Sequence, residues 1–231
     1  RPAHGLVFRE NKKIHNTGPA DRIKDLDSLP RPAYHKIDFN QYALQKSRPS
    51  VDAPRVFPNA RLFTSRGCPI GCAFCQVESI SGKTFRARSA AHVLDELAWL
   101  KEAYGIRSVT FDDDNLLTDR QRAKDIFKGM IEQEMDLEWY MPGVAVFFLD
   151  KEMLSLMKKS GCRFIDLAIE SGVERILKNI IRKPIRLDHV TKIVKQARAL
   201  GFDIGGNFIV GFPGETWDEI RTTLRFAEGL D

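Results

Sequence analysis

The sequence contains little cysteine and no long apolar run. Only four of its 231 residues are cysteines, and no hydrophobic stretch approaches the roughly 20 residues that a membrane-spanning helix needs. The first ten residues lack the apolar stretch of a signal peptide, so we expect a cytoplasmic protein with reduced thiols. The five histidines show no metal-ligand spacing. These absences argue against a membrane protein and against a small disulfide-stabilised domain.

Neither sign of charge dominates the chain. The formal net charge is +5, and lysine and arginine are scattered along the sequence rather than gathered in one stripe. Nucleic-acid-binding domains usually concentrate their basic residues on one face, so we do not expect a nucleic-acid partner. A hydrophobic content of 43% with 29% charged residues is typical of a globular protein with one large core.

Three of the four cysteines lie within eight residues. Cys68, Cys72 and Cys75 follow the order C-x-x-x-C-x-F-C. A cubane iron–sulfur cluster has four irons and is ordinarily held by four thiolates, one per iron, so three thiolates leave one iron open to a substrate. A structural zinc site needs a fourth ligand, and disulfides would have to form within one tight loop. The remaining Cys162 is distant in sequence, and we expect it to be a buried structural thiol.

From residue 61 onward, short strands alternate with amphipathic helices, which indicates an α/β protein built from five βα units. The predicted strands cover residues 61–65, 108–112, part of 138–148, 163–169 and 203–210. Such units form either an open doubly wound sheet or a barrel, and in both the functional loops follow the carboxyl ends of the strands.

The helix starts carry recognisable capping residues. Ser89 and Asp150 are predicted N-caps, whereas Thr118 with Gln121, and Thr216 with Glu219, have the spacing of capping boxes. Residues 1–60 differ from the rest: residues 6–14 could form a hairpin, and the remainder, rich in proline, is expected to be an extended linker.

Polar residues follow the second predicted strand. Consecutive strand side chains alternate faces, so Asp112 and Asp114 would share one side, with Asp113 between them. Two carboxylates that close repel each other unless a cation, such as a ligand ammonium, lies between them. An acidic turn that caps the next helix is the alternative.

Residues at the fourth and fifth strand ends could contact a ligand. Glu170 could accept hydrogen bonds from a sugar diol or lie in a surface turn. The loop from Gly211 to Gly214 would let its backbone approach a flat ligand, although glycines are common after strands. Phe74 would present an apolar surface beside a cluster.

Two further groups of residues stay open to alternatives. Arg86 and Arg88 follow the cysteine loop and could pair with a carboxylate or be exposed. The aromatic and sulfur-containing residues near the third strand could line a substrate pocket or belong to the core; they are Trp139, Tyr140, Met141 and Phe147.

The motifs together resemble a known family. They are Cys68, Cys72 and Cys75 in the order C-x-x-x-C-x-aromatic-C, the strand end from Asp112 to Asn115, the strand end Ile169-Glu170-Ser171-Gly172, and the run from Ile209 to Thr216. In this order, over about residues 60–231, they resemble the radical S-adenosylmethionine (SAM) superfamily.

The resemblance implies a partial (β/α)6 TIM-like barrel, of which residues 61–231 supply five βα units and end before a sixth strand. It also implies that a 4Fe-4S cluster cleaves SAM reductively to methionine and a 5′-deoxyadenosyl radical, which abstracts hydrogen from a small-molecule substrate. An external electron donor such as flavodoxin or ferredoxin would reduce the cluster. The resemblance identifies neither the substrate nor the residues that act on it.

The resemblance also implies the roles of individual residues. Cys68, Cys72 and Cys75 would bind the iron, and Phe74 would lie against the adenine. The further SAM contacts that it implies are Asp112, Asp113 and Asp114 at the methionine ammonium, Glu170 with the following Ser171 at the ribose, and the backbone of Gly211, Phe212, Pro213 and Gly214 at the adenine.

The first 60 residues carry a narrower resemblance. Residues 6–10 and 25–34 are similar to the segment that joins a cobalamin-binding domain to the barrel in one radical SAM subgroup, whose members are often methyltransferases. Residues 1–60 would then be the tail of an upstream cobalamin-binding domain, and cobalamin a further cofactor. The alternatives are a radical SAM methylthiotransferase, which needs further upstream cysteines, a ring-forming enzyme, or a noncatalytic iron–sulfur electron carrier.

Overall fold

The computed structural model describes residues 4–43 and 55–230. The strands are β1 Val7–Glu10, β2 Lys13–Asn16, β3 Asn59–Leu62, β4 Ser65–Arg66, β5 Arg86–Ala87, β6 Ser108–Phe111, β7 Glu138–Tyr140, β8 Phe164–Glu170 and β9 Asp203–Phe208. The helices are α1 Phe39–Ala43, α2 Val77–Ile80, α3 Ala90–Tyr104, α4 Arg120–Glu132, α5 Lys151–Lys159, α6 Leu187–Ala199 and α7 Trp217–Glu228. A π-helical segment covers Ile176–Ile181. None of these helices is both long and apolar enough to cross a bilayer.

The main sheet is parallel and follows the order of the chain. Strand β6 pairs with β3 on one side and with β7 on the other, and β8 pairs with β9. Two isolated parallel bridges, Trp139 to Cys162 and Val144 to Leu167, connect β7 to β8. The predicted succession of five parallel strands separated by helices is therefore present, and the class is α/β.

Side-chain alternation divides the sheet into a helix-facing side and an inner side. The indole of Trp139 stacks on Phe127 of α4 with ring centroids 4.8 Å apart, and it meets Phe111 edge-on. Because neighbours along a strand point to opposite faces, Thr110 and Tyr140 lie on the inner side. Trp139 therefore belongs to the core rather than to an aromatic substrate pocket.

Most helix starts agree with the sequence. Ser89 caps α3, Asp150 caps α5, and Thr216 with Glu219 forms the capping box of α7. The predicted capping box at the start of α4 is wrong.

Asp119 caps α4 instead, because its carboxylate accepts a hydrogen bond from the backbone N–H of Arg122 at 3.0 Å. A 3-10 turn over Leu116–Thr118 precedes it and buries two leucines, which moves the helix start past Thr118. Gln121 donates to Asp125.

The N-terminal segment packs more tightly than an extended linker. The predicted hairpin is present, since β1 and β2 pair in antiparallel fashion. Farther on, Tyr34 and Phe39 contact the rings of Trp99 and Tyr104 on α3, and Leu26 is fully buried. These aromatic side chains therefore bury apolar surface on α3, and the assignment of the segment as a linker stays a prediction. Its prolines at positions 49 and 54 lie outside the described residues.

The start of α4 can be tested by mutation. Asp119→Ala removes the side-chain acceptor and should lower the free energy of unfolding by about 1 kcal/mol. Thr118→Ala is the control, because the Thr118 hydroxyl has no hydrogen-bond partner among the described residues. Urea unfolding followed by circular dichroism measures both. A larger loss in Thr118→Ala than in Asp119→Ala would restore the sequence-based prediction.

Candidate active site

The cysteine loop follows β4 at the carboxyl end of the sheet. Strand β4 pairs with β5, which brings the two ends of the loop together. Inside the loop, the N–H of Cys68 donates to Gly82 at 3.2 Å and that of Cys75 donates to Cys72 at 3.0 Å. Gly67 has a φ of 88°, and a Cβ there would overlap the carbonyl oxygen of Thr84. Only glycine fits that position without strain.

The three cysteines fit a cluster better than a single metal ion. All are free thiols; Cys75 is exposed, and Cys68 and Cys72 are half-buried. Burial raises the pKa of Cys72, and the nearby Lys183 ammonium opposes this shift. Within residues 4–43 and 55–230, no three His, Cys, Asp or Glu side chains converge as ligands of one ion. A cubane cluster bonds each thiolate to a different iron and needs no such convergence.

Asp114 and Asp113 hold the backbone that leads into the loop. A carboxylate oxygen of Asp114 accepts the N–H of Gly67 at 2.7 Å. Asp113 accepts from the N–H and hydroxyl of Thr64 at 3.2 and 2.8 Å, and from the hydroxyl of Ser65. Burial raises the pKa of Asp113, and these hydrogen bonds oppose that shift. Both residues therefore fix the path of β4.

Asp112 has a partner of its own. The guanidinium of Arg61 donates two hydrogen bonds to its carboxylate at 2.5 and 2.6 Å. The cation expected beside Asp112 is thus supplied by the neighbouring strand, in the bidentate geometry that arginine and carboxylate favour.

Glu170 forms a buried ion pair at the end of β8. The Nζ of Lys183 donates to Glu170 and to the carbonyl of Ala168, each at 2.7 Å. Both ionic side chains are less than one-tenth exposed, and Glu170 has a φ of 73°, unusual for a residue with a side chain. Two residues before Lys183, the carbonyl of Ile181 accepts the N–H of Ala73 at 2.9 Å, so the pair lies beside the cysteine loop.

Sequence reasoning missed Lys183. The only available signal was a basic residue directly before Pro184, where the helical connection after β8 is interrupted. The sequence pattern gave no indication that this side chain turns back toward the strand ends.

Ser171 ties β8 to α7. Its hydroxyl lies 3.2 Å from that of Thr223 and accepts the N–H of Val173 at 3.1 Å. The N–H of Gly172 donates to the same Thr223 hydroxyl. All of this is buried, so the contacts of Ser171 in this structure are internal to the fold.

The loop after β9 meets the cysteine loop. Gly211 and Gly214 have φ values of 90° and 81°, and the N–H groups of Gly211 and Phe212 donate to Glu215 at 2.6 and 3.1 Å. The Phe212 ring lies 6.0 Å from that of Phe74, and the neighbouring Pro213 is exposed. Two of the predicted adenine contacts are thus brought together.

Three free cysteines at one strand end of a parallel α/β sheet, with a buried ion pair at another, form the arrangement expected of an iron–sulfur protein with an open cluster. The sequence profile of the radical SAM superfamily matches residues 62–227. The chain therefore belongs to the radical SAM superfamily, as its motifs predict.

Several curated relatives are methyltransferases. The cytidylyl-2-hydroxyethylphosphonate methyltransferase of Streptomyces wedmorensis is 37% identical over 88% of this chain and 39% of its own length. The bacteriochlorophyllide d C-12(1)-methyltransferase of Chlorobaculum tepidum is 30% identical over 95% of this chain and 46% of its own. The chain thus spans less than half the length of these relatives.

Solved structures share the fold. The radical SAM methyltransferase TsrM from Kitasatospora setae, with cobalamin and a [4Fe-4S] cluster bound, matches with a TM-score of 0.76 at 19% identity, covering 98% of this chain and 45% of that one. The cobalamin-dependent radical SAM enzyme OxsB matches with 0.75 at 18% identity, covering 96% of this chain and 32% of that one. At less than 20% identity, these two matches show that the fold is shared.

The ion pair beside the cysteines should be sensitive to loss of one partner. Lys183→Met leaves the Glu170 carboxylate buried without a cation and should lower the free energy of unfolding by about 3 kcal/mol. The double variant Glu170→Gln with Lys183→Met should recover part of that loss. Urea unfolding measures both.

The pair of Lys124 and Glu152, whose carboxylate side chain is 60% exposed and whose nitrogen and oxygen are 2.6 Å apart, is the matched control. Lys124→Met should cost less than about 1 kcal/mol, because the Glu152 carboxylate stays in water. Equal losses in the two lysine variants would show that the Lys183 pair is not effectively buried.

Proposed function

We propose that the chain is the catalytic part of a cobalamin-dependent radical SAM methyltransferase that acts on a polar small molecule. The observation that supports this best is the grouping of three free cysteines with the Glu170–Lys183 pair and Phe212 at one end of the sheet. Strand ends are where open α/β folds bind ligands.

A reduced 4Fe-4S cluster, when bound, supplies the electron for reductive cleavage of SAM. The chain's own part is to hold the reactants. Cys68, Cys72 and Cys75 would bind three irons, and Phe74 and Phe212 offer two tilted aromatic faces to the adenine. Glu170, oriented by Lys183, would accept hydrogen bonds from the ribose.

Asp114 is the best placed of the three aspartates for the ammonium of SAM. It uses one oxygen for Gly67, and its other oxygen has no hydrogen bond within the described part of the chain. Asp112 and Asp113 are already held by Arg61 and by Thr64. We therefore assign to these two a supporting role behind the ligand. The backbone around Pro213 and Gly214 would border the adenine. Ser171 is occupied by its internal contacts.

The inner side of the sheet favours a polar substrate. Arg61 and Thr110 lie on this side of β3 and β6, and Asp166 accepts from Asn207 of β9 at 2.6 Å. These groups are paired within the protein, Arg61 with Asp112 and Thr110 with Asn59. A large apolar ring system would cover them and remove their access to water, which is unfavourable for charged and polar groups. Two of the relatives are named after their substrates. A nucleotide-linked phosphonate fits this inner side better than a bacteriochlorophyllide does.

The remaining elements of the proposal concern the whole protein. Residues 1–60 would follow a cobalamin-binding domain, residues 61–231 would form five units of a (β/α)6 barrel, and an external donor such as flavodoxin or ferredoxin would reduce the cluster. The proposed setting is the cytoplasm, because free thiols that bind iron persist in a reducing compartment.

Loss of one cysteine should abolish SAM cleavage. The full-length protein, reconstituted with iron and sulfide under anaerobic conditions, should convert SAM to 5′-deoxyadenosine on reduction. Cys72→Ala should lower that rate by at least about a thousandfold, because one iron loses its protein ligand. Chromatographic quantification of 5′-deoxyadenosine measures the effect.

Cys162→Ala is the control, since the Cys162 thiol is buried far from the loop and donates to the carbonyl of Phe164. It should keep its iron and its activity. A wild-type protein that binds iron and sulfide but does not cleave SAM would favour an electron carrier. Two clusters per chain would favour a methylthiotransferase, a type also found among the relatives.

Substrate polarity can be tested separately. A cytidylyl phosphonate and a chlorophyllide should be incubated with the cobalamin-loaded, full-length enzyme and SAM, and methylated products measured by mass spectrometry. We expect transfer to the polar compound to be at least about tenfold faster, because a chlorophyllide would remove the charged and polar inner-side groups from water. Faster methylation of the chlorophyllide would contradict the proposed substrate class.

A further inference from the structure

A cavity of about 600 Å³ lies between the N-terminal segment and the cysteine loop. Its charged lining residues are Asp21, Arg22, Arg66, Arg86 and Asp114, and Phe63 forms an apolar wall. The cavity is separate from the Glu170–Lys183 pair, whose residues do not line it. The sequence left open whether Arg86 is paired with a carboxylate or exposed. In the structure it is half-buried, and its guanidinium donates to two backbone carbonyls.

The three arginines converge on this cavity. Arg66 and Arg86 are direct partners in the antiparallel pair of β4 and β5, a position at which like charges repel. The guanidinium of Arg86 donates to the carbonyl of Ser81 at 3.1 Å. The guanidinium of Arg22 lies directly against the following residue, Gly82, so closely that a Cβ on this glycine would overlap it. Arg22 and Arg86 therefore meet at the same turn.

These positive charges are incompletely neutralised. Arg22 and Arg66 form no ion pair among residues 4–43 and 55–230, and the buried Nε of Arg86 has no hydrogen-bond partner there. Burial lowers the pKa of Arg86, as do Arg22 and Arg66, whereas Asp114 opposes the shift. One oxygen of Asp114 is engaged by Gly67. The cavity thus keeps an excess of positive charge with free donors.

We propose that this cavity binds the phosphate or phosphonate group of a small-molecule ligand. Guanidinium groups bind such anions through paired N–H donors, and a phosphate carries up to about two negative charges at neutral pH, which offsets the repulsion among three arginines. Phe63, 60% exposed, provides an apolar face for the part of the ligand next to the anion.

The position of Arg66 connects this site to the candidate active site. It directly precedes Gly67 and Cys68, and Asp114, which lines the cavity, holds Gly67. An anion bound by Arg66 would therefore lie next to the start of the cysteine loop. Binding at this site does not depend on methyl transfer or on SAM cleavage.

Calorimetric titration of the full-length protein with inorganic phosphate and with methylphosphonate, at constant ionic strength, tests the proposal. We expect one site per chain for both anions, and weaker binding of acetate, which offers a planar group of lower charge. Arg66→Gln should weaken phosphate binding by about tenfold, the effect of losing one charged hydrogen-bond donor. Arg22→Gln should have a similar effect.

Arg9→Gln is the matched control, because Arg9 is an exposed residue of β1 that does not line the cavity. This variant should bind phosphate like the wild type. The proposal is overturned if phosphate does not bind, if both cavity variants bind it like the wild type, or if acetate binds as tightly as phosphate. Since SAM cleavage is assayed without phosphate, failure of this site and failure of the proposed reaction are distinguishable.

Discussion

The cysteine loop depends on three hydrogen bonds that its backbone N–H groups donate to acceptors elsewhere in the chain. Asp114 accepts the N–H of Gly67, the carbonyl of Gly82 accepts that of Cys68, and the carbonyl of Ile181 accepts that of Ala73. Apart from the packing of Cys72 on the core and the contact of Phe74 with Phe212, these directional bonds fix the shape of the loop. These three acceptors come from parts of the chain that are far apart in sequence. The site therefore forms only when the sheet has formed.

The region that provides Ile181 is also the most irregular part of the backbone. The π-helical segment Ile176–Ile181 ends at Arg182, which has a φ of 62°, and Glu170 opposite has a φ of 73°. Such conformations are costly and persist where the surrounding structure requires them. Here they place Lys183 so that its ammonium reaches Glu170 and Ala168 while the carbonyl of Ile181 reaches Ala73. The same irregularity serves both the ion pair and the loop.

The sequence predicts the strands, most helix caps and the cysteine loop because each follows from local patterns. The capping residue of α4 was misassigned, since a buried 3-10 turn is not visible in the spacing of Thr118 and Gln121. Lys183 was missed for a related reason: its role depends on a contact with β8 thirteen residues away. The packing of Tyr34 and Phe39 on α3 was missed. The many prolines of the first 60 residues indicated an extended linker, and two isolated aromatic residues do not indicate packing. Local periodicity carries no information on any of these long-range contacts.

Pairing, rather than the number of arginines, decides which of them can act on a ligand. Arg88 forms a buried ion pair with Glu96, and Arg61 donates to Asp112 through both its Nε and its Nη2. Arg122 donates to the carbonyl of Thr64, beside the hydrogen bonds of Asp113. Arg61 and Arg88 therefore have little capacity left for a ligand, whereas the Nη1 of Arg122 is buried without a hydrogen-bond partner among the described residues. Arg22 and Arg66 form no ion pair within the described residues and therefore retain their donors at the cavity beside the cysteine loop.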